Sequence, residues 1–359
     1  MKRRLEKAKQ KFEGKVQNTG KAMERSHTVM EKVMTESHCV EEKGFTDLEN
    51  SSGGFTKFSG KCIHDLLFLE IFAGTARLSK VARDTGLQTL PIDKTANRAS
   101  QIFIAQYDLT EPESLQAVLD ILHTEKDRIL AVHLAPACGT ASRAREKKLS
   151  AFVKRGFKVP GPLRSTKKPM GIDGLSGLDK VRTETANIVY EATAKIVEVC
   201  YSLQILCSIE NPENSLFWVF PAIEQVLASI GGHSVSFHNC MHGGARNKLT
   251  KWWATDATFE ALRVFCDGSH SHAKWNPNPV GKNLQFPTAE EAAYPVLLCK
   301  RIMAVLLKYA IQHGAHNPAN LQTQLPGSST TSHRWILDML PKGKKLKPLV
   351  SEFQDYIFF

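Results

Sequence analysis

The sequence predicts a Rossmann-like α/β fold, a doubly wound and mostly parallel sheet of about seven strands with an antiparallel final hairpin. Three observations predict it. Short apolar runs alternate with helical patterns from Asp65 to Ala254. The first run leads straight into a glycine-bearing turn and a helix, Glu70-Ile71-Phe72-Ala73-Gly74-Thr75-Ala76. The last two runs flank a Gly243-Gly244 turn, as antiparallel neighbours do.

In chain order, residues 1–60 are charged and polar with only patchy helical periodicity, which predicts a loosely ordered or helical extension. Leu66–Phe72 then reads as a buried strand, Thr75–Asp84 as a helix and Leu87–Ile92 as a strand. Ile102–Tyr107 follows as a strand, Glu111–His123 as a helix and Ile129–Leu134 as a strand. A basic loop (143–182) precedes a long helix, Val181–Tyr201, a strand at Gln204–Ile209 and a helix at Asn214–Ser229. His233–Asn239 and Leu249–Ala254 are the closing strands, and Phe286–Leu307 contains a helix expected to pack back on the sheet. One domain, 61–313, thus lies between the extension and a Lys-rich tail, 314–359.

Bulk properties narrow the class of protein. No run reaches the roughly 18 apolar residues of a membrane span; Lys300 and Arg301 interrupt the stretch at Val296–Leu307. The N-terminus lacks the apolar core of a secretory signal, so an intracellular protein, nuclear or cytoplasmic, is expected. The eight cysteines are scattered and read as reduced thiols. The net charge is +11, and segment 143–182 alone holds twelve Lys/Arg against three Asp/Glu. Such a concentration predicts a polyanionic partner, DNA or RNA, because neutralised phosphates release counterions. Nothing implies a protein partner, and a monomer is expected.

The chemistry-bearing residues fall at the carboxyl ends of successive predicted strands, where open α/β sheets bind ligands. Gly74 lets the backbone approach a ligand at a helix start. Asp93 ends the second strand, a place suited to ribose hydroxyls, and Asp108 follows the third. The turn resembles the Phe-Ala-Gly-x-Gly loop of the DNA cytosine-5 methyltransferases, a family of class I S-adenosylmethionine-dependent enzymes. The resemblance implies that Phe72, Gly74, Asp93 and Asp108 hold S-adenosylmethionine. The family's second glycine is Ala76 here, a methyl group expected to be tolerated at a helix start.

The fourth strand opens into Ala135-Pro136-Ala137-Cys138-Gly139, followed by the basic segment. A loop cysteine among cations is expected to have thiolate character. Carbon 5 of cytosine requires such a nucleophile, since it takes up a methyl group only after a thiolate adds at carbon 6. Ring nitrogen 3 then needs a proton-sharing carboxyl, and Glu210-Asn211-Pro212 ends the fifth strand. The cysteine loop resembles the family's Pro-Pro-Cys-Gln-x-x-Ser loop at Pro136, Cys138 and Ser142, with Ala137 and Gly139 replacing a proline and the glutamine. Gly243-Gly244-Ala245-Arg246-Asn247-Lys248 resembles the family's arginine segment, which makes Arg246 the cation for the base carbonyl. Catalytic roles are thus implied for Cys138, Glu210 and Arg246. Phosphate contacts are expected from Ser142, Arg143, Arg145, Lys147, Lys148 and Lys248. An RNA cytosine methyltransferase and a catalytically inactive nucleic-acid-binding relative remain open on the same residues.

A second constellation stands apart from this chemistry. Cys240-x-His242 and Cys266-x3-His270 have spacings compatible with a tetrahedral zinc site of two cysteines and two histidines, with His238 and His272 as competing ligands.

Overall fold

The computed structural model of the chain describes residues 57–316. The rest of the expected extension and of the tail lies outside the described residues. Seven strands form the main sheet: β1 (Leu67–Ile71), β2 (Gln88–Asp93), β3 (Ala105–Gln106), β4 (Ile129–Leu134), β5 (Leu206–Pro212), β6 (His233–His238) and β7 (Leu249–Ala254). Their order is β3-β2-β1-β4-β5-β7-β6. The first five in that order are parallel, and β7 runs against both of its neighbours. The expected closing hairpin is therefore a pair with its second strand inserted beside β5, and β7 is the single reversed strand of the sheet.

β1 and β4 are buried along their whole length, which is why they read as continuous apolar runs rather than alternating ones. The helices are α1 (Arg77–Asp84), α2 (Pro112–Glu125), α3 (Ser150–Lys154), α4 (Gly177–Ser202), α5 (Pro221–Ile230) and α6 (Val296–Gln312). α1 packs on α6, while α4 packs on α2 and α5. α1 buries Leu78, Val81 and Ala82, and α6 buries Leu298, Ile302, Val305 and Leu306, the spacing of a helix face turned to a core. Each such leucine, isoleucine or valine contributes roughly 1.5–3 kcal/mol on burial. Phe58 is also fully buried, and the backbone at 58–63 hydrogen-bonds to His313 and His316 just beyond α6. Among the described residues no helix is long and apolar enough to cross a membrane.

Departures from the sequence expectations have local causes. β3 keeps only two of the six residues expected at Ile102–Tyr107, since it pairs with β2 alone at the sheet edge. The helix expected from Asn214 to Ser229 splits into a short 3-10 turn, Leu216–Val219, and α5, because Pro221 is accommodated only in a first helical turn. Pro295 likewise delays the last helix to Val296. β5 continues past the expected Ile209 through Glu210 and Asn211 because β7 supplies an antiparallel partner there, with Glu210 opposite Trp252. A small separate hairpin, β8 (Asn278–Val280) and β9 (Asn283–Gln285), was not foreseen; three-residue strands, the first with a proline at its centre, leave no period to read.

Candidate active site

The turn after β1 is held in an uncommon backbone conformation. Phe72, Gly74 and Ala76 have φ of 62°, 55° and 51°. For non-glycine residues this left-handed region costs on the order of 1–2 kcal/mol each. Ala76 therefore carries a methyl group where the backbone favours glycine, a penalty beyond what its place at a helix start suggested. The helix is capped from the strand instead. The buried Glu70 carboxylate accepts from the Ser79 N–H at 2.8 Å, and burial raises its pKa to about 7. Such strain persists only when surrounding structure enforces it, and it concentrates at ligand sites.

The geometry of the turn fits a ligand that comes close to backbone and offers hydroxyls. A Cβ placed on Gly74 would meet nothing within 4 Å. Asp93 accepts from the Gly74 N–H at 2.8 Å and the Lys94 N–H at 2.7 Å, which leaves each carboxylate oxygen with acceptor capacity to spare. Asp108 accepts from the Thr110 hydroxyl at 2.6 Å and pairs with Lys94 at 2.6 Å. Its partial burial opposes ionisation, but these donors hold its carboxyl below the ordinary value.

The Cys138 loop is clamped from three sides. The Asn211 amide donates to the Pro136 carbonyl at 2.9 Å, and the Tyr190 hydroxyl donates to that of Ala137 at 2.9 Å. Arg164 donates to the Thr140 hydroxyl at 3.2 Å. Cys138 is half-buried, and its thiol sits above the ordinary cysteine pKa. Burial is the largest cause, Lys248 pulls the other way, and Glu210 adds to the rise. The expected thiolate is thus corrected: at rest the group is a protonated thiol, because the many exposed cations of the following loop are too well solvated to offset its desolvation.

Glu210 and Lys248 form a largely buried ion pair at 3.1 Å. Burial disfavours the lysine's charge, yet Glu210 and Cys138 carry its pKa above the usual value, so it stays a cation. The second Glu210 oxygen accepts from the Tyr294 hydroxyl at 3.3 Å. Tyr294 in turn contacts His133 Nε2 at 2.9 Å, and His133 Nδ1 lies 3.0 Å from the Ser208 hydroxyl. His133 stacks on Trp252 with ring centroids 4.2 Å apart. Burial lowers its pKa to about 3. A neutral imidazole with its proton on Nε2 satisfies every partner: Ser208 donates to His133, His133 to Tyr294, and Tyr294 to Glu210.

That burial has a measurable consequence. The folded-state pKa of His133 lies below its unfolded value near 6.5, so its contribution is complete above that pH and is lost as pH falls toward about 3. Replacing it in His133→Gln is expected to remove about one proton from the uptake on unfolding. Urea unfolding between pH 4 and pH 6 should show a pH slope smaller by about 1.4 kcal/mol per unit; an unchanged slope would contradict a neutral buried histidine.

Lys248 stands apart among the remaining site residues, because it faces Glu210. Arg246 does not reach Glu210; it pairs with Glu290 at 2.8 Å and Glu291 at 3.0 Å, and lies 5.6 Å from the Trp275 ring centre. The inward cation of its segment is Lys248, which had been expected on phosphate: it immediately precedes β7, whose Trp252 lies opposite Glu210, while Arg246 lies further before the strand and is paired with Glu290 and Glu291. Ser142 caps the next turn through the Ala144 N–H. Arg143 is exposed and pairs with Glu146, and Arg145 lies 3.8 Å from Asp179. Lys147 and Lys148 are exposed, with no ion pair among the described residues. Arg164, counted in the basic excess, is instead 1 % exposed and structural. His242 is fully buried, with Nε2 on the Leu262 carbonyl and Nδ1 against Arg301, and burial pushes its pKa down to about 3. It is therefore no partner for Cys240; His272 takes the position assigned to it. Tyr294, His133 and Tyr190 were missed as site residues. The polar His133 inside an otherwise apolar strand was the one sequence signal available.

No protein-family model matches the chain, and no curated protein matches its sequence. Similarities among solved structures are partial. The Dnmt2 methyltransferase of S. pombe is 10% identical, with a TM-score of 0.29, over 53% of this chain and 48% of that one. A mutant DNMT2 of Spodoptera frugiperda is 11% identical, with a TM-score of 0.28, over 53% of this chain and 49% of its own. Thermoplasma acidophilum aldohexose dehydrogenase is 12% identical, with a TM-score of 0.21, over 42% and 65% of the two chains. The chain thus spans about half the length of the two methyltransferases it is similar to.

Proposed function

We propose that this chain is an S-adenosylmethionine-dependent methyltransferase that acts on carbon 5 of cytosine in nucleic acid, with DNA as the first substrate. The observation that carries the reading is the placement of the Cys138 loop after β4 next to the buried Glu210–Lys248 ion pair at the end of β5, the two strand ends joined by the hydrogen bond from Asn211 to the Pro136 carbonyl. Cys138 follows β4, the neighbour of β1 with its strained Gly74 turn, and Asp93 ends β2 on the other side of β1. Phe72, Gly74, Asp93 and Asp108 would hold S-adenosylmethionine, which when bound supplies an electrophilic methyl group.

The chain's own groups account for the rest. Cys138 Sγ bonds to carbon 6 of the ring as its proton passes to the Glu210 carboxylate. Glu210 delivers that proton to nitrogen 3, so the ring becomes a neutral enamine with a nucleophilic carbon 5. Once carbon 5 is methylated, its hydrogen leaves as a proton to water, the carbon–sulfur bond breaks with its electron pair returning to Cys138, and nitrogen 3 gives its proton back through Glu210 to the thiolate. Lys248 holds Glu210 from one side and Tyr294 from the other, which fixes the carboxyl for the transfer. The exposed Lys147 and Lys148 sit directly after this loop, where the backbone of a strand with an extruded base would pass.

The test is a tritium-transfer assay with the full chain, the labelled methyl donor, and either cytosine-containing duplex DNA or structured RNA. Label recovered as 5-methylcytosine from the duplex is expected. Label in RNA alone would reassign the substrate, and label in neither would overturn the proposal.

A further inference from the structure

Apart from Cys138, Glu210 and Lys248, four side chains with metal-ligating atoms converge: Cys240, Cys266, His270 and His272, with one ligand atom from each, all within 4.8 Å of one another. Cys240 lies in the 3-10 turn Asn239–His242 that follows β6, and the other three come from a segment without regular structure. Cys266 Sγ is 3.4 Å from His272 Nε2 and 3.9 Å from His270 Nε2. A tetrahedral zinc ion with ordinary bond lengths separates sulfur from nitrogen by about 3.6 Å and two sulfurs by about 3.8 Å. The cluster is already near that geometry.

We infer that these four residues bind one structural zinc ion. Two thiolates and two imidazoles are the donor set that selects zinc, and four protein ligands leave no open position for catalysis. The supporting contacts are those expected around such a site. His238 Nδ1 accepts from the Cys266 N–H at 3.0 Å and fixes the backbone that carries the thiolate.

The site has a mechanical role. Segment 264–275 is joined to the neighbouring turn by bonds from the His238 N–H to the Val264 carbonyl, the Ala273 N–H to the Ala245 carbonyl and Arg246 Nε to the Lys274 carbonyl. The same turn delivers Lys248 to Glu210. Zinc would therefore staple a stretch with little regular structure onto the loop that supplies the buried lysine. This inference stands whether or not methyl transfer is the reaction.

The test is zinc analysis of the full chain purified under reducing conditions without chelator. One zinc per chain is expected, falling to a substoichiometric level in Cys266→Ser and in His272→Ala. Cobalt exchanged into the wild-type chain should give thiolate charge-transfer absorption together with the intense visible bands of a tetrahedral ion, a readout that needs no variant to fold. A metal-free wild-type chain that takes up no cobalt, or a Cys240–Cys266 disulfide in its place, would overturn the inference. So would an octahedral cobalt spectrum, or full zinc retention in both variants.

Discussion

Cys138→Ser is expected to reduce methyl transfer by about 10⁴-fold or more, equivalent to roughly 5.5 kcal/mol of transition-state stabilisation. A serine hydroxyl titrates far above a thiol and offers no comparable nucleophile to carbon 6. Stability should change by less than about 1 kcal/mol, because the side chain is small and half-buried. Single-turnover transfer with wild type and variant side by side measures the first effect, and urea unfolding the second. Duplex containing 5-fluorocytosine isolates the covalent step: fluorine at carbon 5 cannot leave as a cation, so the wild-type adduct persists on a denaturing gel and the variant gives none. Equal transfer by the two proteins would eliminate Cys138 as the nucleophile. The resting thiol adds a pH signature. Since burial holds its pKa above the usual value, the wild-type single-turnover rate should climb with pH through the alkaline range as the thiol deprotonates more readily.

The second large effect concerns a residue that composition alone would assign to phosphate. Arg164 is buried and donates to four acceptors: the Thr140 hydroxyl, the Pro169 carbonyl at 2.5 Å, the Asn187 side chain at 2.7 Å and the Thr183 carbonyl at 3.2 Å. Its guanidinium also lies over the Tyr190 ring, 5.1 Å from the centre. It thereby ties the loop after Cys138 to the basic segment and to α4. Arg164→Ala is expected to lose about 3–4 kcal/mol of stability, because it leaves buried acceptors without a donor and opens a cavity beside two aromatic rings. Arg164→Lys should recover only part of that loss, since an ammonium cannot reproduce the planar fork. Salt dependence of nucleic-acid binding should barely move in Arg164→Lys, because a covered side chain contributes no phosphate contact. Near-native stability of Arg164→Ala, measured by denaturant unfolding, would show that this buried anchor is dispensable.

Fold and site were legible to different depths. β4 and β7 begin and end as expected because their neighbours are strong turn signals and their interiors are apolar. β3 was overread because a strand at a sheet edge needs little more than two ladder residues, and its flanks carry apolar side chains for packing instead. In the site, Cys138 and Glu210 were legible because position at the end of a parallel strand is a local property. Arg246 against Lys248, and His242 against His272, were not. In each pair the candidates have similar chemistry and lie close in sequence, or compete for one ligand position. What separates them is the direction in which a loop side chain points, decided by Glu290, Glu291 and Arg301, tens of residues away.

The sequence by itself determined the alternation of strands and helices, the carboxyl end of the sheet as the place where chemistry collects, and the residue types present there. These follow from hydrophobic period, turn residues and strand ends, all of which act within a few positions along the chain. Tertiary structure alone decided that Cys138 rests as a thiol, that Lys248 rather than Arg246 stands against Glu210, and that His272 joins Cys240. Those outcomes depend on desolvation and on partners brought together by the insertion of β7 beside β5, and no short-range pattern encodes either.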